Sequence, residues 1–495
     1  MKKNSVKKIK NAAKWSGITE LSAKIVSPIS NMILARLLTP DAFGVVATAI
    51  MIFSFADMFT DSGFQKYLVQ QEFKNDEDLH KTATVAFWTN LFISLFLWSV
   101  ISIFSEQLAV IVGNPGLGIV FIVSCISLPL TSFSSIQMAL FKRNLDFKIL
   151  FKARFVGILL PLVVTVPLAF LLRSFWALII GIVAGNIVNA IVLTWLSKWK
   201  PNLFYDFKLL KEMFSFSIWS LVEAFFIWLG SYMGVFIVGK YLTPYYVGVY
   251  KISMSTVNQI IYIVSSAIAP VLFSSLSRLQ NNQQEFEKTL LNFESYSGMF
   301  IVPMGVGIYL YKDVITSILL GKQWVEATGF IGLWALVSAL KVLLSNYCSE
   351  TYRALGKPKV SVVVQAVQIV FLAPLLIYGA KQSFTILYIL RSLAVFEMIL
   401  MNMFMMKFVI HISPWKMVKA ILPFIGASTV MYILSYGLRM ISSNVFWGFI
   451  SMAICAIGYF CALYCCFPKY RQTIKSILKC LKRRKIVVSS HQSEL

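Results

Sequence analysis

The sequence predicts an all-α, polytopic membrane protein of about 14 transmembrane helices, arranged as two six-helix lobes followed by two further helices. Three observations lead there: apolar runs of span length recur along the whole chain, Lys and Arg concentrate in alternate connections, and a six-span unit occurs twice. Composition sets the class. Of 495 residues, 58% are hydrophobic and 13% charged, and the mean hydropathy is +0.75, whereas a soluble domain carries roughly 25% charged residues. A soluble fold is excluded, and no stretch is left for a sizeable soluble domain.

Crossing a hydrocarbon core takes about 20 residues. Runs of that length lie near 15–38, 43–65, 82–104, 117–140, 153–172, 175–196, 214–238, 246–273, 289–310, 328–350, 360–378, 384–406, 418–438 and 445–466. The start, with Lys2, Lys3, Lys7, Lys8, Lys10 and Lys14, looks like the positive end of a signal peptide. The stretch after Lys14 is too long and too polar for a cleavable segment, so the first span is expected to be retained. With the N-terminus inside, about 34 of the 45 Lys and Arg fall on the cytoplasmic side, where such residues are held. Both termini are therefore expected in the cytoplasm. The same asymmetry absorbs most of the +24 net charge, so nucleic acid is not an expected partner. The tail cluster Lys482, Arg483, Arg484 and Lys485 suits anionic lipid headgroups. Seven scattered cysteines and three distant histidines give no disulfide framework, metal site or cofactor.

The repeat fixes the organisation further. Leu37-Leu38-Thr39-Pro40-Asp41-Ala42-Phe43-Gly44-Val45 returns as Tyr241-Leu242-Thr243-Pro244-Tyr245-Tyr246-Val247-Gly248-Val249. Lys81-Thr82 returns as Lys288-Thr289, and Arg143-Asn144-Leu145 as Arg353-Ala354-Leu355, at offsets between 204 and 210. Six spans followed by six in the same orientation make a parallel repeat about an axis along the membrane normal, with a central site expected where the lobes face one another. The expected divisions are a lobe at 1–200, a second at 201–407, two extra helices at 408–470 and a basic tail at 471–495.

Leu37-Leu38-Thr39-Pro40 with Phe43-Gly44, then Asp61-Ser62-Gly63-Phe64 with Leu68-Val69-Gln70, resembles the opening of Wzx-type polysaccharide exporters, the branch that includes colanic acid exporters. These belong to the multidrug/oligosaccharidyl-lipid/polysaccharide superfamily. The resemblance implies a V-shaped flippase in the bacterial inner membrane. Its cargo would be undecaprenyl-pyrophosphate-linked oligosaccharide for lipopolysaccharide, O-antigen or exopolysaccharide, moved to the periplasmic leaflet by alternating access. It also implies a polysaccharide polymerase and glycosyltransferases as neighbours in the pathway.

Ionisable residues inside spans cost about 2.5–3.5 kcal/mol each at a helix centre and so tend to face a partner or a wet cavity. Glu20, Lys24, Ser27 and Asn31 fall on one face of the first span, and Glu223 sits within one residue of the repeat equivalent of Glu20. Lys251, Ser255, Asn258, Gln259, Tyr262 and Ser266 form a longer stripe on the eighth. Ser54, Asp57 and Asp61 line the second span, and Ser338, Lys341 and Ser345 the tenth. The hydroxyls and amides alone read as helix-to-helix glue. The cations ask for an anion. Lys24, Lys251 and Arg391, with Lys341 a weaker candidate, suit a diphosphate, while Asn31, Asn258, Gln259 and Tyr262 suit sugar hydroxyls. Glu20, Asp57, Asp61 and Glu223 are candidates for proton or sodium coupling. A Glu20–Lys24 pair at i, i+4 is the structural alternative for those two residues.

Two rival cargoes fit the same fold. A drug exporter would favour acidic, aromatic cavities, against which the lysine stripes speak, whereas a peptidoglycan-precursor flippase is harder to separate. A multi-pass polymerase would need a catalytic external loop, but the longest external one, near 311–327, is an ordinary connection without histidine, so an enzyme is not expected. No G-x-x-x-x-G-K-[ST] loop is present, leaving an ion gradient as the expected energy source.

Overall fold

The computed structural model describes residues 2–61, 63–442, 444–473 and 475, with the side chains of 2–14, 21, 25, 61, 215–220 and 223 outside the described set. Among the described residues the chain is helical with no strand. In order run α1 (Lys2–Leu37), α2 (Pro40–Asp61), α3 (Phe64–Gln70), α4 (Asp76–Ile103), α5 (Ser105–Ile111), α6 (Gly118–Cys125), α7 (Ser127–Arg143), α8 (Phe147–Leu160), α9 (Val166–Leu172) and α10 (Trp176–Leu196). Next come α11 (Phe207–Tyr241), α12 (Pro244–Arg278), α13 (Gln283–Leu310), α14 (Lys312–Leu319), α15 (Ala327–Lys341), α16 (Tyr347–Ala354), α17 (Lys359–Gln382), α18 (Phe384–Phe408), α19 (Pro414–Ile441) and α20 (Val445–Cys466).

Twelve helices among the described residues are long and apolar enough to cross a membrane, and a thirteenth counts if α13 and α14, bent by 85°, form one span. The expected first span falls on α1, whose first side chains lie outside the described set. A helix satisfies its own backbone groups in lipid, and these carry exposed Phe92, Phe96, Phe170, Leu171, Trp195 and Ile433 as lipid would require.

Capping fixes the helix starts on the polar side. Asn75 accepts from the Asp78 amide at α4, and Asn282 accepts from the Glu285 amide at α13. The connection expected at 311–327 is itself folded, through α14 and a short turn at Lys322–Trp324.

Contacts divide the chain into two compact units. The first comprises 1–256, 319–327 and 365–391. Its core includes Phe64, Leu68, Phe87, Ile136, Trp199 and Met213. Both copies of the Leu-Thr-Pro turn lie in this unit and pack on one another. A Cβ on Gly44 would stand 1.8 Å from the Pro244 carbonyl oxygen, and one on Gly248 would stand 1.9 Å from that of Pro40. Two backbones approach this closely only where neither has a side chain. Beside them, Gly113 (φ +81°) would bring a Cβ to 1.9 Å from the Gly239 oxygen at the end of α11. Farther along the chain, Gly321 (φ +102°) opens the turn from which Gln323 and Trp324 cap α1. Gln323 Nε2 donates to the Ala35 and Leu38 carbonyls at 2.6 and 2.8 Å, and Trp324 Nε1 to Ala35 at 2.7 Å. These carbonyls end a helix and have no acceptor role within it.

The second unit comprises 257–318, 328–364 and 392–495. Here α13 packs along α19 and α20, with Phe424 against Gly298. Pro303 inside α13 lacks the N–H that would bond the Met299 carbonyl. Tyr459 of α20 replaces it, donating its hydroxyl to Met299 O at 3.0 Å.

Candidate functional site

The stripe residue Lys251 lies one helical turn past Val247 on α12, half-buried, with its ammonium 5.1 Å from the ring centroid of Tyr232 on α11. That ring begins a continuous row within the first unit. Tyr232 lies 5.9 Å from Trp228 on the same helix, Trp228 lies 4.8 Å from Phe55 on α2, and Phe55 lies 5.3 Å from Phe59. Each helix contributes its two rings at i and i+4, the spacing that stacks side chains along one helix face. Trp228 is anchored by its indole N–H, which donates to the Met51 carbonyl at 3.2 Å and to Ser54 Oγ at 3.1 Å. All the rings keep accessible surface, Phe55 at 37% and Phe59 at 38%. A half-exposed aromatic row ending in a cation offers apolar faces to sugar rings and a point charge to an anionic headgroup.

A second cation stands close by on α18. Arg391 is 5% exposed and its Nε donates to the Tyr250 hydroxyl at 3.2 Å. Gly234 makes room for that phenol, since a Cβ there would meet the hydroxyl at 2.1 Å. Thus Lys251 and Arg391 belong to one unit, Lys251 over the Tyr232 ring of α11 and Arg391 bonded to Tyr250, the residue before Lys251 on α12.

Asp57 lies on α2 between the two row phenylalanines in sequence. Its Oδ1 accepts from Thr131 of α7 at 2.9 Å and from Thr60 at 3.2 Å. Glu20 meets Arg154 of α8 at 3.4 Å. That pair lines a cavity of about 630 Å³ within the first unit, together with Ser27, Lys142, Asn186 and Asn189. Lys24 and Asn31 are half-buried on the same helix.

Asn258, Gln259, Tyr262 and Lys341 fall in the second unit. Asn258 accepts from the Trp334 indole N–H at 3.1 Å, so its carbonyl is committed to a packing contact. Gln259 and Lys341 are half-buried, and Tyr262 is 56% exposed. The side chains of Asp61 and Glu223 lie outside the described residues. Among the described residues no group of three or more His, Cys, Asp or Glu is placed to hold a metal ion.

Sequence reasoning did not single out Phe55, Phe59, Trp228 and Tyr232. Their i, i+4 pairs were visible, but the row exists only because α2 and α11 pack against one another.

The family model described as "Polysaccharide biosynthesis protein" matches residues 33–329, more than half of the chain and all of the aromatic row. The chain belongs to this family. Among similar family proteins, the "Succinoglycan biosynthesis transport protein ExoT" of Rhizobium meliloti is 25% identical over 67% of this chain and 67% of its own length. The "Teichuronic acid biosynthesis protein TuaB" of Bacillus subtilis is 20% identical over 96% of this chain and 98% of its own. The "Lipopolysaccharide biosynthesis protein WzxC" of Escherichia coli is 20% identical over 75% of each. In fold, this family member is similar to the solved structure "Lipid II flippase MurJ, inward closed conformation", with a TM-score of 0.74 at 14% identity over 92% of this chain and 99% of that one. A multidrug resistance MATE transporter in an inward-facing conformation gives a TM-score of 0.54 at 11% identity over 77% and 93%.

Proposed function

We propose that this multi-pass membrane protein is a flippase for undecaprenyl-pyrophosphate-linked oligosaccharide, carrying it across the bacterial cytoplasmic membrane by alternating access for surface polysaccharide biosynthesis. Family membership supports the class, as do relatives named for polysaccharide transport. The single observation that carries the cargo reading is the row from Phe59 through Phe55, Trp228 and Tyr232 to Lys251. Its rings suit the sugars and its cation the diphosphate. The lobes at 1–200 and 201–407 are then the moving halves, both termini stay cytoplasmic, and a polymerase and glycosyltransferases consume and supply the cargo. The protein works as a transporter rather than an enzyme. A proton or sodium gradient drives it, with Glu20, Asp57, Asp61 and Glu223 as the coupling carboxyls. The fold of a lipid II flippase favours one rival, a peptidoglycan precursor, which shares the diphosphate but carries a shorter glycan.

The test is flipping of lipid-linked oligosaccharide and of lipid II in vesicles holding the full chain. Lys251→Ala removes a charge-assisted contact worth about 1.5–3 kcal/mol. A loss of about 1.4 kcal/mol is a factor of ten, so oligosaccharide flipping falls roughly tenfold or more. Trp228→Ala impairs the longer glycan more than lipid II. Lys251→Arg retains more activity than Lys251→Gln. Undiminished flipping in both alanine variants, inserted normally, rejects this reading of the row, and flipping of lipid II alone selects the rival.

A further inference from the structure

Glu294 stands about three turns into α13, in the second unit, and is fully buried. Neither of its carboxyl oxygens has a hydrogen-bond partner. Among the described residues no ion pair involves it either. An ionised carboxylate without water, donor or cation is among the costliest groups a fold can hold, whereas the neutral acid is tolerated. Within a membrane span such a residue marks an ion or proton route by default.

Its surroundings have been built for a neutral, polar group rather than for a charge. One turn on, Ser297 accepts from the Tyr347 hydroxyl at 2.9 Å. Tyr347 and Cys348 of α16 lie near enough to interact with the carboxyl. The Cys348 thiol is engaged by the Leu344 carbonyl at 3.4 Å. From α19, Lys416 reaches α13 two turns before Glu294 and is paired there with Glu287 at 2.5 Å. From α20, the Tyr459 hydroxyl is committed to Met299. Alongside α16 runs a polar chain, with Asn402 Nδ2 donating to Ser345 Oγ at 3.0 Å and the Tyr352 hydroxyl to Asn402 Oδ1 at 3.0 Å. It tracks the helix toward the exposed Arg353, which pairs with Glu350 at 2.6 Å.

We propose that Glu294 is a proton-binding site of the transporter: it holds a proton on its carboxyl while enclosed between α13, α16 and α19, and releases it to water in a conformation that opens this pocket. The inference rests on the flippase reading for its role in transport, but not for the bound proton. α13 is suited to the rearrangement because Pro303 and the glycines at 298, 305 and 307 weaken it just beyond the carboxyl.

Two measurements on the full chain in lipid vesicles test this. Infrared difference spectra between acidic and alkaline buffer need no cargo. The wild type should show a protonated-carboxyl stretching band that shifts on deuteration and is lost in Glu294→Gln, a variant of the same shape that inserts normally. In cargo flipping, a pH gradient should accelerate the wild type several-fold and leave Glu294→Gln no faster than without a gradient, while a sodium gradient acts on neither. A band that survives in Glu294→Gln overturns the proposal, as does a Glu294→Gln variant still accelerated like the wild type, or acceleration by sodium alone. Wild-type vesicles that flip no cargo would reject the flippase reading, and the infrared band would then decide on Glu294 by itself.

Discussion

Asp57 and Glu294 are both carboxyls inside spans, one in each compact unit, and they differ in the donors that reach them. Asp57 is half-buried, receives two threonine hydroxyls and lies on the helix that carries half of the aromatic row. Glu294 is enclosed with no donor at all. Hydrogen bonds from donors favour a charged carboxylate, and dry enclosure favours the neutral acid. The difference teaches that position within a span says little about a carboxyl's work. What decides is whether the neighbouring helices bring hydroxyls to it or only close around it.

The comparison breaks most visibly by putting a permanent charge in the closed pocket. Glu294→Lys leaves an unpaired buried ammonium, a defect of about 3–5 kcal/mol, so the variant should not accumulate in the membrane. Normal accumulation, read by fluorescence of a fused reporter in size-exclusion chromatography, would mean that the pocket is wet. A smaller effect sharpens how dry the second unit is. Tyr459→Phe orphans the Met299 carbonyl and should lower stability by about 1–3 kcal/mol. Adding Pro303→Ala supplies the missing N–H and should recover most of that loss, a coupling that thermal unfolding of the four proteins of the cycle measures directly. Least costly is the change on the Asp57 side. Thr131→Val removes one donor while Thr60 remains, so stability should fall by about 1 kcal/mol, and Thr60→Val should do no more. If either threonine variant is as damaging as Tyr459→Phe, Asp57 is less solvated than its surroundings suggest.

Much of the fold was legible in the sequence because hydropathy reports directly on what lipid demands. Twelve of the expected spans coincide with helices of adequate length, and the ninth is recovered as the start of the bent pair α13–α14. The bend itself was not foreseen, since nothing in the local sequence at Tyr311 distinguishes it from a connection. The site was legible in part. Lys251 stood out because a lysine in an apolar helix is rare, yet its partner Tyr232 did not, because aromatic residues in a span read first as lipid-facing. Glu294 was passed over for a related reason: it lies near the start of the expected ninth span, where a carboxylate would ordinarily reach water. In the fold it is fully buried instead. Asn258 shows the reverse, a stripe residue whose oxygen is occupied by Trp334.

The mutual contact of Gly44 and Gly248 also bears on which residues of the two turns are free to vary. The residues between proline and glycine differ between the two turns, Asp-Ala-Phe in one against Tyr-Tyr-Val in the other. At the glycines each copy is the other's surroundings, and the obstructing atom is a main-chain oxygen that no exchange of side chains elsewhere can withdraw. Neither position can be relieved by changing a side chain on its partner, so the two glycines constrain one another. The two turns are thus tied together at the prolines and glycines, where their backbones touch, while the three residues between are free to differ.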